Sequence, residues 1–274
     1  MLSVNTNAGA LVALQNLDST NKQLQQTQNR INTGLKVAGP QDNAAVYQIA
    51  QGLRSDLAGM DAVKQSLDRA TSTVDIAIAG GQQVSDLLNQ MKAKAVAASD
   101  KGLGTASRTA LQNDFNALRD QITTIVNNAT FNGTNMIKNG GKGVSAIVSA
   151  DGSSTISVAA ADLSLSGSSI TITAGSTFTT ATAAGSIVSK LTTSIANVNS
   201  ALGKLGTGAS AVDSQRTFAG QLSDAIDVGI GNLVNADLAK ESANLQALQV
   251  KQQLGVQALS IANQSPNVLL GLFR

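Results

Sequence analysis

From Asn235 to its end, the chain carries a pattern that one helix cannot bury alone. Read at 3.6 residues per turn, Leu238, Leu245, Leu248, Leu259 and Ala262 fall on one seam. Ala247, Val250, Leu254, Ala258 and Ile261 fall on a second. One partner helix covers one seam, so the other needs protein on another side. Between the seams lie mostly Gln, Asn and Ser, and the only charges from Asn235 onward are Asp237, Lys240, Glu241, Lys251 and Arg274. A helix meant for water carries many charged pairs on its outer face. This one is expected to be enclosed by other protein, with an ordinary amphipathic helix of a monomeric bundle as the alternative on pattern alone.

The other end of the chain has matching composition. A heptad seam runs through Ala10, Leu14, Leu17, Asn21, Leu24, Gln28, Ile31 and Leu35, and the charges before Gly39 are Asp18, Lys22, Arg30 and Lys36. Two polar positions weaken such a seam but can fix its register and partner. The two ends are therefore expected to pair as one coiled-coil module, residues 1–40 with 235–274. Everything between, residues 41–234, then becomes an excursion out and back.

Gly39-Pro40 breaks the first pattern, because a helix stops at or before the residue preceding proline; Asp42 or Asn43 can cap the next helix. The seam of that helix is the longest in the chain: Val46, Ile49, Leu53, Asp56, Met60, Val63, Leu67, Ala70, Val74, Ala77, Gly81, Val84, Leu88, Met91, Ala95. At 1.5 Å per residue it predicts a helix roughly 75 Å long. Lys101 to Gly104 reads as a turn and Thr105 as a cap. A second helix then carries Leu111, Phe115, Leu118, Ile122, Ile125 and Ala129 at four-three spacing. From Ser186 the helical period returns, through Leu191, Leu202, Leu205, Val212, Ala219, Ile226 and Leu233, weakened locally by Gly203, Gly206 and Gly208. Ile49, Leu53, Met60, Leu67, Leu88, Leu111, Phe115, Leu118, Ile122, Leu202 and Ile226 are the expected core of this bundle.

Between Lys138 and Thr182 the period falls from 3.6 to 2, in Val144, Ala146 and Val148, then Ile156 and Val158, Leu163 and Leu165, Ile170 and Ile172. Asp151-Gly152 and Ser166-Gly167 supply hairpin turns. Residues 138–182 are expected to form short hairpins lying on the helices. The fold class is mainly α: an elongated antiparallel helical bundle with a terminal coiled coil and a small β-hairpin patch.

Chemistry is excluded more by missing residue types than by missing motifs. The sequence has no cysteine and no histidine, which removes disulfides, thiolates, soft metal sites and the usual general base near neutral pH. Gly140-Gly141-Lys142-Gly143 and Gly203-Lys204-Leu205-Gly206 are glycine-rich but lack the Lys-Ser/Thr ending and the strand-to-helix setting of a phosphate loop. No catalytic residue, cofactor or metal ligand is assigned. A net charge of +2 with scattered basic residues recommends neither nucleic acid nor an anionic membrane as partner. An aromatic content of 2% suits helices packed through small side chains better than a globular core. No basic residue precedes Lys22, so a secretory signal peptide is not expected.

The C-terminal run carries a resemblance. Ser242-Ala243-Asn244-Leu245-Gln246-Ala247, Lys251-Gln252-Gln253-Leu254-Gly255-Val256-Gln257-Ala258-Leu259, Ser260-Ile261-Ala262-Asn263 and the closing Leu272-Phe273-Arg274 resemble the C-terminus of bacterial flagellin. Thr130-Phe131-Asn132-Gly133 resembles the turn after the family's third helix, and Asp42, Ala44, Ala45, Ile49 and Ala50 fit its pattern after the first. Pro40, Asn43 and Val46 depart from that pattern, which touches the local geometry of the connector.

The resemblance implies a structural subunit that self-assembles into a helical tube, exported unfolded through the flagellum's own channel and located in the extracellular filament. It implies a homopolymer, served by the export apparatus, a secretion chaperone, a filament cap and hook-filament junction proteins. Inner-core assembly then falls to Leu14, Leu17, Leu24, Ile31 and Leu35 with Leu238, Leu245, Leu248, Val250, Leu254, Leu259 and Ile261. The Ser/Thr run is open to O-glycosylation at Ser168, Ser169, Thr171, Thr173, Thr177 and Thr179, with plain turn chemistry as the alternative. Another axial protein, such as a hook-filament junction protein, is the rival reading.

Overall fold

The computed structural model describes residues 6–271, with side chains placed as far as Gln264. Its elements are α1 (Ala8–Thr33), α2 (Ala44–Ala98), α3 (Thr105–Asn128), β1 (Val144–Ile147), β2 (Thr155–Val158), α4 (Ala181–Val234) and α5 (Leu238–Gly271). The chain forms two compact units: one runs to Ser55 and resumes at Ala225, the other is Asp56–Asp224. The division thus falls inside α2 and α4, not at the connector where the change of pattern suggested it. The connector pairs with the chain around Asn235 and draws the adjoining turns of both long helices into its own unit.

In the first unit α1 and α5 are antiparallel partners. Contacts at Asn7 with Ala262, Asn21 with Gln252 and Arg30 with Glu241 step along the two helices in opposite directions. Asn7 starts α1, its side chain accepting from the Ala10 amide at 3.1 Å, which satisfies one of the free donors of the first turn. Gly34 ends it in the left-handed region at φ 71°, a conformation glycine enters without a Cβ penalty. Leu35 then bridges Asn235, and the amides of Lys36 and Ala236 donate to the carbonyls of Val234 and Gly34 at 2.7 and 2.8 Å. Asn43 caps α2 by accepting from the Val46 amide, while Asp42 holds the amides of Ala38 and Gly39.

The second unit is built on the long seam of α2. Met60, Val63, Leu67, Ala70, Val74, Ala77, Val84, Leu88, Met91 and Ala95 are all buried. α3 and α4 return antiparallel to it, as Lys94 with Asp114 at 2.6 Å, Ser85 with Asn199 at 3.2 Å and Asp68 with Arg216 at 2.6 Å show. α4 contributes Leu191, Val198, Leu205, Val212 and Ala219 and passes Gly203, Gly206 and Gly208 as one unbroken helix. α3 contributes Phe115, Ile122 and Val126. Phe115 meets Phe178 edge-on, with ring centroids 5.2 Å apart and planes at 74°, a favoured geometry for aromatic pairs.

Residues between α3 and α4 close over this core with Met136, Ile137, Leu163, Ile170, Ile172 and Phe178 fully buried. β1 and β2 form the expected Asp151-Gly152 hairpin, with Val144 opposite Val158 and Ile147 opposite Thr155. The second hairpin does not form. Leu165 and Ile170 meet in a single parallel bridge, and the Ser166 amide donates to the Ile172 carbonyl at 2.9 Å, so this stretch is a compact loop. α4 begins at Ala181, earlier than Ser186, because the Thr180 hydroxyl accepts from the Ala183 amide. Thr105 is the first residue of α3 and not its cap; Gly104 occupies that place with no side-chain bond.

Several expected core residues sit elsewhere. Ile49 is 54% exposed while Ala50 is fully buried, because the inward face of α2 runs one residue later there than the heptad reading placed it. Leu53, Leu111, Leu118, Leu202 and Ile226 are half-buried, whereas Met60, Leu67, Leu88, Phe115 and Ile122 lie in the core.

Candidate assembly surface

α5 presents two faces of different fate. Toward α1 it turns Glu241, Leu245, Leu248, Gln252, Gly255, Leu259 and Ala262, a strict four-three repeat whose members are buried or half-buried. Away from α1 it leaves Ala247, Val250, Leu254, Ala258 and Ile261 exposed. Val250, Leu254 and Ile261 are exposed by 56%, 59% and 70%, and Val256 beside them by 54%. The rest of the exposed surface of α5 is mostly Gln, Asn, Ser, Ala and Lys, so this stripe is its main exposed apolar feature.

The inward face of α1 departs from the sequence reading by one residue at alternate positions of the seam. Leu17, Leu24, Ile31 and Leu35 are half-buried. Their companions on the inward side are Thr20 and Thr27, the buried residues of α1, one position before the expected Asn21 and Gln28; Asn21 stays half-buried on the seam, whereas Gln28 and Leu14 are exposed. Threonine hides its methyl while its hydroxyl bonds locally, as Thr20 Oγ1 does to the Asn16 carbonyl at 2.8 Å. Leu11, Val12 and Leu14 form an exposed apolar group of their own near the start of the helix. Leu238 is also half exposed: it opens α5 directly after the Asp237 cap, which accepts from the amides of Ala239 and Lys240.

Polar contacts punctuate the α1–α5 seam. Asn7 Nδ2 donates to the Ala262 carbonyl at 2.7 Å, and Gln252 Nε2 donates to Asn21 Oδ1 at 2.7 Å. Arg30 Nη1 donates to Glu241 Oε1 at 3.2 Å. Glu241, the one glutamate of the sequence, is buried. This pair was not foreseen, although a lone glutamate at an inward heptad position opposite a helix with two cations was a usable signal.

Of the Ser/Thr positions, Ser168, Thr171, Thr173, Thr177 and Thr179 are exposed. Ser169 is buried, so it is not presented to solvent as the others are; its carbonyl accepts from Asn197. The hydroxyls of Thr171 and Thr173 bond Ser194 and Ser176. Among the described residues, no group of three or more His, Cys, Asp or Glu is placed to hold a metal ion. Among them too, no helix is long and apolar enough to cross a membrane.

The bacterial flagellin N-terminal helical region matches residues 4–141, and the bacterial flagellin C-terminal helical region matches residues 188–273. Over 272 residues the chain is 50% identical to "Flagellin FljM" of Caulobacter vibrioides, covering 99% of this chain and 98% of that one. It is 37% identical over 283 positions to a flagellin of Brucella melitensis, and 32% identical over 323 to "Flagellin C" of Rhizobium meliloti, in both cases covering 100% of each chain.

Proposed function

The chain belongs to the bacterial flagellin family and is a structural subunit of the flagellar filament, not an enzyme; on that premise we propose that α1 and α5 form the filament's inner core. Each subunit pairs its two terminal helices along one seam and offers the second seam of α5 to neighbouring subunits. The observation that carries this is the exposed row Val250, Leu254 and Ile261 on the side of α5 turned from α1.

The energetics explain why assembly and ordering go together. Fixing a residue's backbone opposes folding by about 1–2 kcal/mol. The α1–α5 contact offers mostly half-buried side chains in return. Covering Val250, Leu254 and Ile261 adds about 1.5–3 kcal/mol for each side chain fully buried. The terminal helices therefore pair only marginally in the free subunit and order fully when a neighbour supplies that cover, which suits a subunit exported unfolded and folded at the growing end.

The same reading gives residues 41–234 the outer wall of the tube, with 138–182 facing outward. It calls for an export apparatus, a secretion chaperone, a cap at the growing tip and junction proteins at the hook. The polymer is made with other flagellin subunits, and the filament lies outside the cell. The Ser/Thr positions exposed in the loop are open to glycosylation there.

Seeded elongation tests the reading. Purified full-length protein and a chain trimmed of residues 1–35 and 235–274 are added to filament seeds and followed by pelleting and electron microscopy. Only the full-length protein is expected to elongate, while the trimmed chain stays folded and monomeric. Equal polymerisation by the trimmed chain removes the terminal helices from the inner core.

A further inference from the structure

We propose that the Arg30–Glu241 ion pair is the register lock of the terminal helices: it selects one sliding position of α1 along α5 and so sets the height at which the outward seam is presented. The inference rests on the inner-core reading above.

The pair is poorly suited to stabilising the helices as such. It makes one bond, Nη1 to Oε1 at 3.2 Å, and leaves Arg30 Nε and Glu241 Oε2 buried without partners. Glu241 is the buried member, its side chain 11% exposed against 31% for Arg30; a half-satisfied pair of this kind is weak as a source of stability, and well-packed apolar residues commonly replace one without loss. Its physical use is discrimination, because a buried charge without its partner is strongly disfavoured.

The apolar contacts of the seam discriminate weakly, because its residues are small or half-buried. A seven-residue slide exchanges them and sets Asn21 opposite Leu245 or Leu259 in place of Gln252, which removes one neutral hydrogen bond. The main-chain bonds of Lys36 and Ala236 to the carbonyls of Val234 and Gly34 act only at the ends of the helices. Within the helices the ion pair is the charged contact that a slide does not remake. Sliding one way sets Gln23 opposite Glu241, and sliding the other way sets Arg30 opposite Leu248. Either shift separates Arg30 from Glu241, the only glutamate and the buried member of the pair; the other cation of α1, Lys22, lies beside Gln23 on the exposed side.

The chain has no cysteine, so introduced pairs report register directly. N21C with Q252C reports the observed register; N21C with L245C and N21C with L259C report one heptad off in either direction. Each reporter pair is placed in the natural background and in R30M/E241L, and disulfide yield is read under mild oxidation in the soluble protein and in seeded filaments. With Arg30 and Glu241 present, the in-register product is expected to exceed either off-register product at least tenfold. With R30M/E241L the ratio is expected to fall to within about threefold. An unchanged ratio in R30M/E241L overturns the lock. Seeds that elongate with that unchanged ratio leave the inner-core reading intact, whereas full-length protein that fails to elongate seeds counts against that reading, and the soluble cross-links still decide the lock. Charge reversal gives the independent arm: R30E and E241R each lose the in-register preference, and R30E/E241R restores it if the two side chains act on each other.

Discussion

Gly208 on α4 leaves the space that the Val158 side chain of β2 occupies: a Cβ at position 208 would stand 2.6 Å from one Val158 methyl and 3.0 Å from the other. The hairpin reaches the helix through that gap. Val158 is branched at Cβ and buried, so it cannot swing away as a flexible side chain would. G208A is expected to destabilise the second unit by about 1–3 kcal/mol, the usual range for overpacking. Gly203 and Gly206 lie in the same helix with nothing within 4 Å of an added Cβ. G203A and G206A should each stabilise by up to about 1 kcal/mol through helix propensity. Urea midpoints of the three variants decide it: if all three shift alike, the contact with Val158 has no weight.

Arg108 is the second place where one side chain holds a junction. It is buried at the start of α3, its Nε donating to the Ala98 carbonyl at 3.0 Å and its Nη2 to the carbonyls of Asp100 and Leu103 at 2.9 and 3.1 Å. Ala98 and Leu103 are carbonyls that the end of α2 and the adjoining turn leave without a main-chain donor, and Asp100 also accepts from the Leu103 amide at 3.3 Å. R108M keeps the apolar stem and removes all three donors, with an expected loss of about 2–4 kcal/mol. Lysine has a single point donor in place of the planar fork, so R108K should recover only part of it. Full recovery by R108K in thermal unfolding would show that charge, not geometry, closes the turn.

How far the sequence disclosed this molecule depended on how much freedom each residue had. The α2 seam was legible from Met60 to Ala95 because large apolar residues recur there with one consistent phase. α1 was half legible: with Ala, Thr, Asn and Gln on both candidate faces, Asn21 was rightly placed on the seam, but placing Gln28 inward fits the repeat as well as placing Thr27 there. The two faces of α5 could be read as two seams, but which one meets α1 is decided by partners far along the chain. Arg108 and Asn135 were invisible to periodicity. Asn135 donates to the carbonyls of Val126 and Asn127 and accepts from the amides of Ile137 and Lys138, a role fixed by where the chain turns and not by any local pattern.

The Asp151 turn makes a prediction in pH. Hydrogen bonds from the Ser149 side chain first, and then from the amide and hydroxyl of Ser153, favour the carboxylate and hold the pKa of Asp151 down from 3.8 to about 2. A carboxyl whose folded value is depressed contributes stability that is present above its unfolded value and lost as pH falls through the folded one. The hairpin should therefore keep its full strength above about pH 4 and loosen toward pH 2. Carbon NMR of the Asp151 carboxyl is expected to titrate near 2, and D151N should remove the pH dependence of amide protection in β1 and β2. A midpoint at the ordinary aspartate value would mean that the serine bonds do not persist in solution.

Leu254 and Leu259 separate the two faces of α5 by experiment. Leu254 is 59% exposed and makes up the outward row with Val250 and Ile261, whereas Leu259 is half-buried toward α1. Replacing either by asparagine keeps the size roughly constant and removes an apolar contact. If the outward row is covered by a neighbouring subunit, L254N removes about 1.5–3 kcal/mol from each subunit's addition to the filament. That converts to a critical concentration roughly 10- to 100-fold higher in seeded elongation. The α1–α5 pairing should be untouched, so the N21C/Q252C cross-link forms as before in L254N. L259N should show the opposite balance, with the cross-link weakened directly because the lost contact lies inside the pair. An L254N chain that elongates seeds at the parent concentration would leave the exposed row without a partner, and the second face of α5 would then have to serve something other than the polymer.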